Sequence, residues 1–475
     1  MTQIQARRPR SRAARCMTTG VACLALLVAG CTTRPERDGA GLRFPFQPRY
    51  QAARDGAPVL LDNAAWWRGL DDPVLDALIA RALAQNLSLK VAVERVTQAM
   101  AEAGTVPDGI AATPSLSARA QDGSRAPLTT TGTAQIGFDW MLDPFGSRRA
   151  ARNAATERVA IAAAEADAAR LLVLFNTANA YATLRYRERL LDLRTRELQD
   201  RRRTLSLVRD LRAADGATRI ETTRSSARVA ELEAQLPEVR TAVQSSLNQI
   251  AVLVGQSPGQ FTLPPGQASG IPVPRLSPDV GIPADLLRNR PDIRSAERGY
   301  YLALAELDAA EAARYPSLSL SGAISLSAGA GRGAQAFFGP TLQFPDLIGN
   351  TTEAAVAARQ SAVRSAYAVW RSTVLDAILE VETALLDYRA ATEAGGAASR
   401  AVSLYAEAAN LQRTLFEAGD ATLTDLIETD RSVSDAQSLL ADTTYRRALG
   451  FIALNVRVGA GSAARGDGET GGDRR

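Results

Sequence analysis

The chain has 475 residues, 46% of them hydrophobic and 22% charged, with a formal net charge of +4 and no histidine. Without imidazole, Ser-His-Asp and Cys-His catalysis and every zinc site built on histidine fall away, and no catalytic residue, metal or cofactor is assigned. Lys90 is the single lysine, and nucleic acid is excluded as a partner for want of a basic patch.

The first 30 residues carry Arg7, Arg8, Arg10, Arg12 and Arg15 ahead of a short apolar stretch, Val21 to Ala29. A basic start, a short hydrophobic run and small residues before a cut make a secretory leader. The run is too short for a membrane-spanning helix of about 20 residues. Leu27-Val28-Ala29-Gly30-Cys31 resembles a bacterial lipobox, in which Cys31 is acylated and becomes the first residue; the alternative is an ordinary leader that happens to hold a cysteine. Thr32 stands where an inner-membrane retention signal has Asp, which points to the outer membrane. Losing the five arginines turns the charge of +4 into about −1, and losing Cys16 and Cys23 leaves Cys31 without a disulfide partner.

Residues 31–70, with Pro35, Pro45, Pro48 and Pro58, read as a lipid-anchored N-terminal segment. A helix follows from Asp72-Pro73 to about Ala103, with Leu75, Leu78, Ile79, Ala82 and Leu83 on one face. Two segments of period two come next, Ser115 to Gln121 and Thr133 to Trp140, each with one apolar and one polar face. Ile136 and Phe138 are expected to face lipid, and Gln135 the lumen of a barrel. From Arg148 to Leu211 there is neither proline nor glycine, enough for roughly 95 Å of helix. Its partner, about Ile220 to Val254, spaces Leu232, Leu236, Val239, Val243, Leu247, Ile250 and Val254 by threes and fours, a coiled-coil seam.

After a Pro-rich linker at 257–282 the pattern starts again, 204 residues on: Ala92 falls on Ala296, Trp140 on Phe344, Ala217-Thr218 on Ala421-Thr422 and Gly255 on Gly459. The second copy has alternation at Leu318, Leu320, Gly322, Ile324 and Leu326, then at Phe338, Pro340, Leu342 and Phe344. Leu342 and Phe344 are expected on lipid, Thr341 and Gln343 on the lumen, and Leu404, Ala408, Leu411 and Leu415 in the matching seam. The chain therefore divides into repeats at 71–256 and 283–460, each a helix, two strands and two long helices, with a disordered tail at 461–475.

The long helices are too charged to cross a bilayer, whereas half-apolar strands of about ten residues suit an outer membrane. Four strands cannot close a barrel and open edges are not tolerated in lipid, so several chains must share one; three chains give 12 strands. The competing structural reading is an Ala-rich coiled-coil spacer without transport, which has no use for such strands; a hydrolase is a more distant one.

Several ordered motifs carry a family resemblance. They are Trp66-Trp67 with Asp71-Asp72-Pro73-Val74-Leu75; Trp140-Met141-Leu142-Asp143-Pro144-Phe145-Gly146; Arg290-Pro291-Asp292-Ile293 with Ala296-Glu297; and Tyr315-Pro316-Ser317-Leu318. Together they resemble the outer membrane efflux protein family, TolC-like, and within it the OprM/NodT-type lipoprotein branch, from Cys31 to about Gly459. Leu70 departs from that pattern, where an aromatic is common.

The resemblance implies a mainly α fold with a small β part and a duct that is not an enzyme. Three chains form a 12-stranded outer-membrane barrel, four strands from each, continued by a long periplasmic α-helical coiled-coil barrel. It implies a homotrimer held in outer-membrane lipid, a periplasmic adaptor and an inner-membrane pump of the resistance-nodulation-division class. Small molecules such as drugs would pass, with the duct of a type I protein secretion system as the alternative. Adaptor docking is expected at the hairpin tips, Asp215-Gly216 and Gly419-Asp420, where the first glycine comes one residue later than the second. The family's G-x-x-x-x-x-D-x-x-D stretch falls on Gly419 to Glu428 and puts the periplasmic aperture at Asp425 and Glu428, which the 204-residue offset pairs with Glu221 and Arg224. Arg224 against Glu428 is a charge complement able to tie neighbouring hairpins. Elsewhere, Trp66 and Trp67 are read as packing rather than as an interfacial belt, Arg290 and Asp292 as helix capping, and Glu380 and Glu382 as solvated or tunnel-facing.

Overall fold

The computed structural model describes residues 42, 44, 65–106, 109–123, 126–266, 270–274, 290–329, 332–345, 350–418 and 420–462. The leader, Cys31, most of the N-terminal segment, Gly419 and the tail from 463 lie outside them. The chain forms two compact units, one of strands (residues 107–149 and 308–353 with the N-terminus) and one of helices (46–106, 150–307 and 354–475).

The strand unit is a four-stranded antiparallel meander: β1 (Ile110–Gly123), β2 (Ala126–Leu142), β3 (Ser317–Gly329) and β4 (Gly333–Gln343), paired in sequence order. The first two strands, 14 and 17 residues long, exceed the expected ten because alternation continues through small residues that carry little hydrophobic signal. Past β2, the Asp143 carboxylate accepts the backbone N–H groups of Arg148 (3.0 Å) and Arg149 (3.1 Å), which starts the next helix.

In the helical unit, Trp66–Leu70 forms one 3-10 turn that ends at Asp71 in the left-handed region. Asp72 then caps α1 (Pro73–Gln85), its carboxylate accepting from Val74 N (2.9 Å) and Leu75 N (3.2 Å), with Pro73 at the first helical position, where no N–H is needed. The single helix expected to Ala103 is in fact two. Asn86 adopts ψ 125°, breaks the helix and caps α2 (Leu87–Gly104) through a bond from Leu89 N.

The remaining elements show the duplication to the residue. α3 (Ser147–Ala213) and α6 (Thr351–Ala418) start 204 apart, and α4 (Arg219–Leu253) and α7 (Leu423–Arg457) both start and end 204 apart, with α5 (Pro291–Ala312) facing α2 in the alignment. Both copies end alike: Gln256 N–H donates to Ala251 O (2.8 Å) and Ala460 N–H to Asn455 O (2.9 Å), with Gly255 and Gly459 left-handed. A Cβ at Gly255 would stand 2.7 Å from the Gln85 carbonyl, so glycine is required there for space as well as for φ.

The main core gathers Trp66, Leu75, Leu78, Leu174, Tyr181, Ile250, Phe451 and Leu454. Trp66 meets Phe451 edge-on at 6.3 Å, so the tryptophan pair is packing, as expected. Phe261, Leu263 and Ile271 also pack against this core, so the described part of the Pro-rich linker is not a free tether. Ala460, Gly461 and Ser462 are buried, so order extends two residues into the tail expected to be disordered.

Two further expectations are corrected. On α4 the seam holds in part: Leu232, Leu236, Ile250 and Val254 are buried, Leu232 and Leu236 against Leu198 and Leu205 of α3, whereas Val239, Val243 and Leu247 are half-buried. On α6 the predicted seam faces outward: Leu404, Leu411 and Leu415 are 66%, 62% and 46% exposed, and Ala408 is exposed too. The helix instead buries Ala391, Ala398 and Ala409, whose small side chains allow closer approach than leucine does. Glu380, read as solvated or tunnel-facing, stays 34% exposed but is not free, since it holds Arg457 (2.6 Å) and Arg290 (2.8 Å).

Candidate functional site

The site has two parts, a sheet with chemically distinct faces and a pair of helical hairpin ends. In the sheet, Ile136 pairs with Pro114 and Ile324, Phe138 with Ala112 and Gly322, Trp140 with Ile110 and Leu320, and Leu318 with Leu342. Even-numbered residues of all four strands therefore share one face. From Ile110 to Ala120 on β1 and from Ala134 to Leu342 across the other strands, that face is apolar at every paired even position. The odd face carries Thr113, Ser115, Ser117, Arg119, Gln135, Asp139, Ser321, Gln335 and Thr341. Ile136, Phe138 and Leu342 thus share one face and Gln135, Thr341 and Gln343 the other, while Phe344 lies just beyond β4. Ile324, Leu326, Phe338 and Leu342 are all more than half exposed, an apolar surface beyond what a water-facing sheet tolerates. The outer edges of β1 and β4 have no strand beside them among the described residues.

The hairpin ends are built alike from inverted residues. After α3, Gly216 N–H donates to Leu211 O (2.8 Å) and Asp215 N–H to Arg212 O (3.1 Å), with Asp215 left-handed at φ 56°. This is a Schellman turn with aspartate where glycine is usual; a short polar side chain tolerates the left-handed region. After α6, Asp420 N–H donates to Leu415 O (2.9 Å), the same bond 204 residues on. The displaced glycine of the first tip therefore leaves this bond unchanged.

Reciprocal capping boxes start the next helices. Thr218 Oγ1 accepts from Glu221 N (3.2 Å) while the Glu221 carboxylate accepts from Thr218 N (2.6 Å); Thr422 and Asp425 do the same at 3.3 and 3.1 Å. Bonds from the backbone and hydroxyl of Thr218 hold the Glu221 carboxyl below its usual value, and the hydroxyl and backbone of Thr422 do so for Asp425. Two of the four aperture candidates thus have local work at a helix start. Arg224 and Glu428 are exposed one turn further on, flanked by buried Ser225 and Leu426, and no ion pair joins them within the chain among the described residues. The two hairpin ends differ in their surrounding charge. Residues 201–228 hold eight arginines and three acids, and residues 405–432 hold two arginines and six acids. The first hairpin end is basic and the second acidic.

A pair of structural anchors also appears only in three dimensions. Asn86 Nδ2 donates to Leu253 O (2.9 Å), and at the equivalent place Arg290 Nη1 donates to Arg457 O (2.7 Å). Arg290 further forks onto Asp292, whose carboxylate accepts from Ile293 N, so both residues do structural work as expected. Burial opposes the Arg290 charge, but the bonds and charges of Asp292 and Glu380 outweigh it and raise its affinity for the proton. No group of residues suited to a metal ion occurs among the described residues, and no described helix is long and apolar enough to cross a membrane.

With this geometry, the profile of the outer membrane efflux protein family matches residues 78–256 and again 282–460, the two repeats. The chain is 32% identical to nodulation protein T of Rhizobium leguminosarum bv. trifolii, over 92% of this chain and 96% of that one. It is 28% identical to the pyoverdine export outer membrane protein OpmQ of Pseudomonas aeruginosa, over 92% and 95%. The open state of the MtrE outer membrane channel of Neisseria gonorrhoeae superposes with a TM-score of 0.79 over 89% of this chain and 98% of that one, at 23% identity, which shows a shared fold.

Proposed function

The chain belongs to the outer membrane efflux protein family, and we propose that it is the exit duct through which a tripartite pump passes small molecules across the outer membrane. The sheet is the observation that carries this reading. One face is apolar from Ile110 to Ala120 and from Ala134 to Leu342, the other is hydroxyl-rich, and both edges are open among the described residues, so a single copy leaves in lipid the unpaired backbone groups that lipid forbids. Three copies pair those edges in a ring of 12 strands. The outward leucines of α6 need covering as well, and a neighbouring copy supplies the cover.

In this reading Cys31 carries acyl chains into the inner leaflet of the outer membrane. Asp215-Gly216 and Gly419-Asp420 meet a periplasmic adaptor, and the inner-membrane partner is a pump of the resistance-nodulation-division class. The repeats at 71–256 and 283–460 act as two pseudo-equivalent hairpins per chain. The aperture lies at Glu221, Arg224, Asp425 and Glu428, with Arg224 of one hairpin opposite Glu428 of a neighbour. The opposite charge of the two hairpin ends supports that pairing. A relative named for pyoverdine export favours a small-molecule cargo.

Detergent extraction followed by planar-bilayer recording tests the whole. A trimer with ion conductance is expected, and Phe138→Cys should resist a water-soluble thiol reagent to which Gln135→Cys reacts. A soluble monomer without conductance, or the reverse labelling pattern, would overturn the reading.

A further inference from the structure

Two large apolar residues stand on the hydroxyl-rich face, Met141 beside Ser319 at the end of β2 and Phe337 within β4. Phe337 is 65% exposed, and pairing along β4 runs without a bulge from Gly333 to Gln343, so its odd number fixes its face. Its row across the sheet is Thr113, Gly137, Ala323 and Phe337, three small residues and one phenyl. Ala323, directly opposite, is buried. The neighbouring Phe338 points to the apolar face, where its Cδ2 would lie 3.1 Å from a Cβ on Gly322. The two phenylalanines thus serve different solvents. Phe337 lies near the middle of β4 (Gly333–Gln343), in a row that crosses β2 closer to Leu142 than to Ala126.

Resting on the trimeric-channel reading above, we infer that three copies of Phe337 form an apolar collar inside the barrel and a transient stacking station for aromatic solutes. Twelve strands about 4.8 Å apart and tilted about 40° enclose a ring roughly 24 Å across, and three rings at one level narrow it where the neighbouring side chains are small. Serine, threonine and glutamine lining offers an aromatic solute only hydrogen bonds that water already supplies. A phenyl face adds offset or edge-on stacking, which lengthens residence by roughly two- to twelvefold. The row leaves the phenyl free to meet cargo because Gly137 and Thr113 present little to pack against.

Two measurements test this on the full-length protein, with ethidium as the aromatic probe. In planar bilayers, current blocks by ethidium should shorten at least about twofold in Phe337→Ala and persist in Phe337→Trp and Phe338→Ala. In outer-membrane vesicles, Phe337→Cys and Gln335→Cys should both react with a water-soluble maleimide, about tenfold or more faster than Phe338→Cys. Equal block durations in wild type and Phe337→Ala, or an unreactive Phe337→Cys beside a reactive Gln335→Cys, would overturn the collar and leave the channel standing. A wild-type protein that conducts no ions would remove both.

Discussion

Replacing Arg290 by alanine is expected to loosen the helical unit more than any equivalent change in the first repeat. The substitution removes Nε to Asp292 (3.0 Å), Nη2 to Asp292 (2.6 Å), Nη2 to Glu380 (2.8 Å) and Nη1 to Arg457 O (2.7 Å). Breaking a buried ion pair costs about 3–5 kcal/mol. Here the carboxylates of Asp292 and Glu380 are 42% and 34% exposed and Glu380 keeps Arg457, so they rehydrate and the figure falls to the low end. The carbonyl of Arg457 also loses its donor, which brings the expectation to about 3 kcal/mol. Asn86→Ala, at the equivalent place, loses one cap and one carbonyl contact, about 1–2 kcal/mol. Native-state hydrogen exchange reads both. Amides near Ile293 and Val458 should exchange about a hundredfold faster in Arg290→Ala, and those near Leu89 and Val254 about tenfold faster in Asn86→Ala. Arg290→Lys, which keeps the charge but loses the fork, should fall between wild type and Arg290→Ala. An Arg290→Ala protein within threefold or so of wild type would refute the idea that this guanidinium ties the second repeat together.

Three other outcomes are expected. Folded-state carboxyls held below their ordinary values, as at Glu221 and Asp425, add stability that is present at neutral pH and lost as pH falls through the folded value. Exchange at Thr218 and Thr422 should therefore rise, relative to its intrinsic rate, when pH is lowered to about 3, and Glu221→Gln with Asp425→Asn should abolish that response. A Cys31→Ala protein given a cleavable leader should still reach the outer membrane in part if, as proposed, the apolar face of the sheet rather than the lipid provides insertion; a wholly soluble monomer in fractionated cells would contradict this. At the proposed aperture, Glu428→Ala or Arg224→Ala should raise single-channel conductance and reversal of both charges should restore closure. An exposed pair contributes only about 0.2–1 kcal/mol, so three copies bias the gate without locking it. Unchanged conductance in both single variants would remove this pair from the gate.

Much of this protein is decided locally and so can be read along the chain. The duplication is legible because α4 and α7 lie at one fixed offset, and the faces of the sheet follow from a period of two that no bulge interrupts between Gly333 and Gln343. The capping boxes at Thr218 and Thr422 are written as a hydroxyl residue three positions before an acid, a bond that needs only its own turn of helix. What periodicity leaves undetermined is which stripe finds a partner. Leu404, Leu411 and Leu415 have the spacing of a seam, yet α6 buries alanines instead, because a neighbouring helix can come closer over small side chains. Asn86 ends a helix that composition would continue, since its amide is drawn to a carbonyl 167 residues away. Glu380 looked solvated for the same reason: Arg290 and Arg457, which neutralise it, are distant in sequence and adjacent only after the helices pack. Tyr181 shows the limit most plainly, as its buried hydroxyl bonds the Asp72 carboxylate (2.5 Å) across 109 residues. Hydrogen bonds within a turn depend on near neighbours, whereas these long-range partners meet only once the helices have packed.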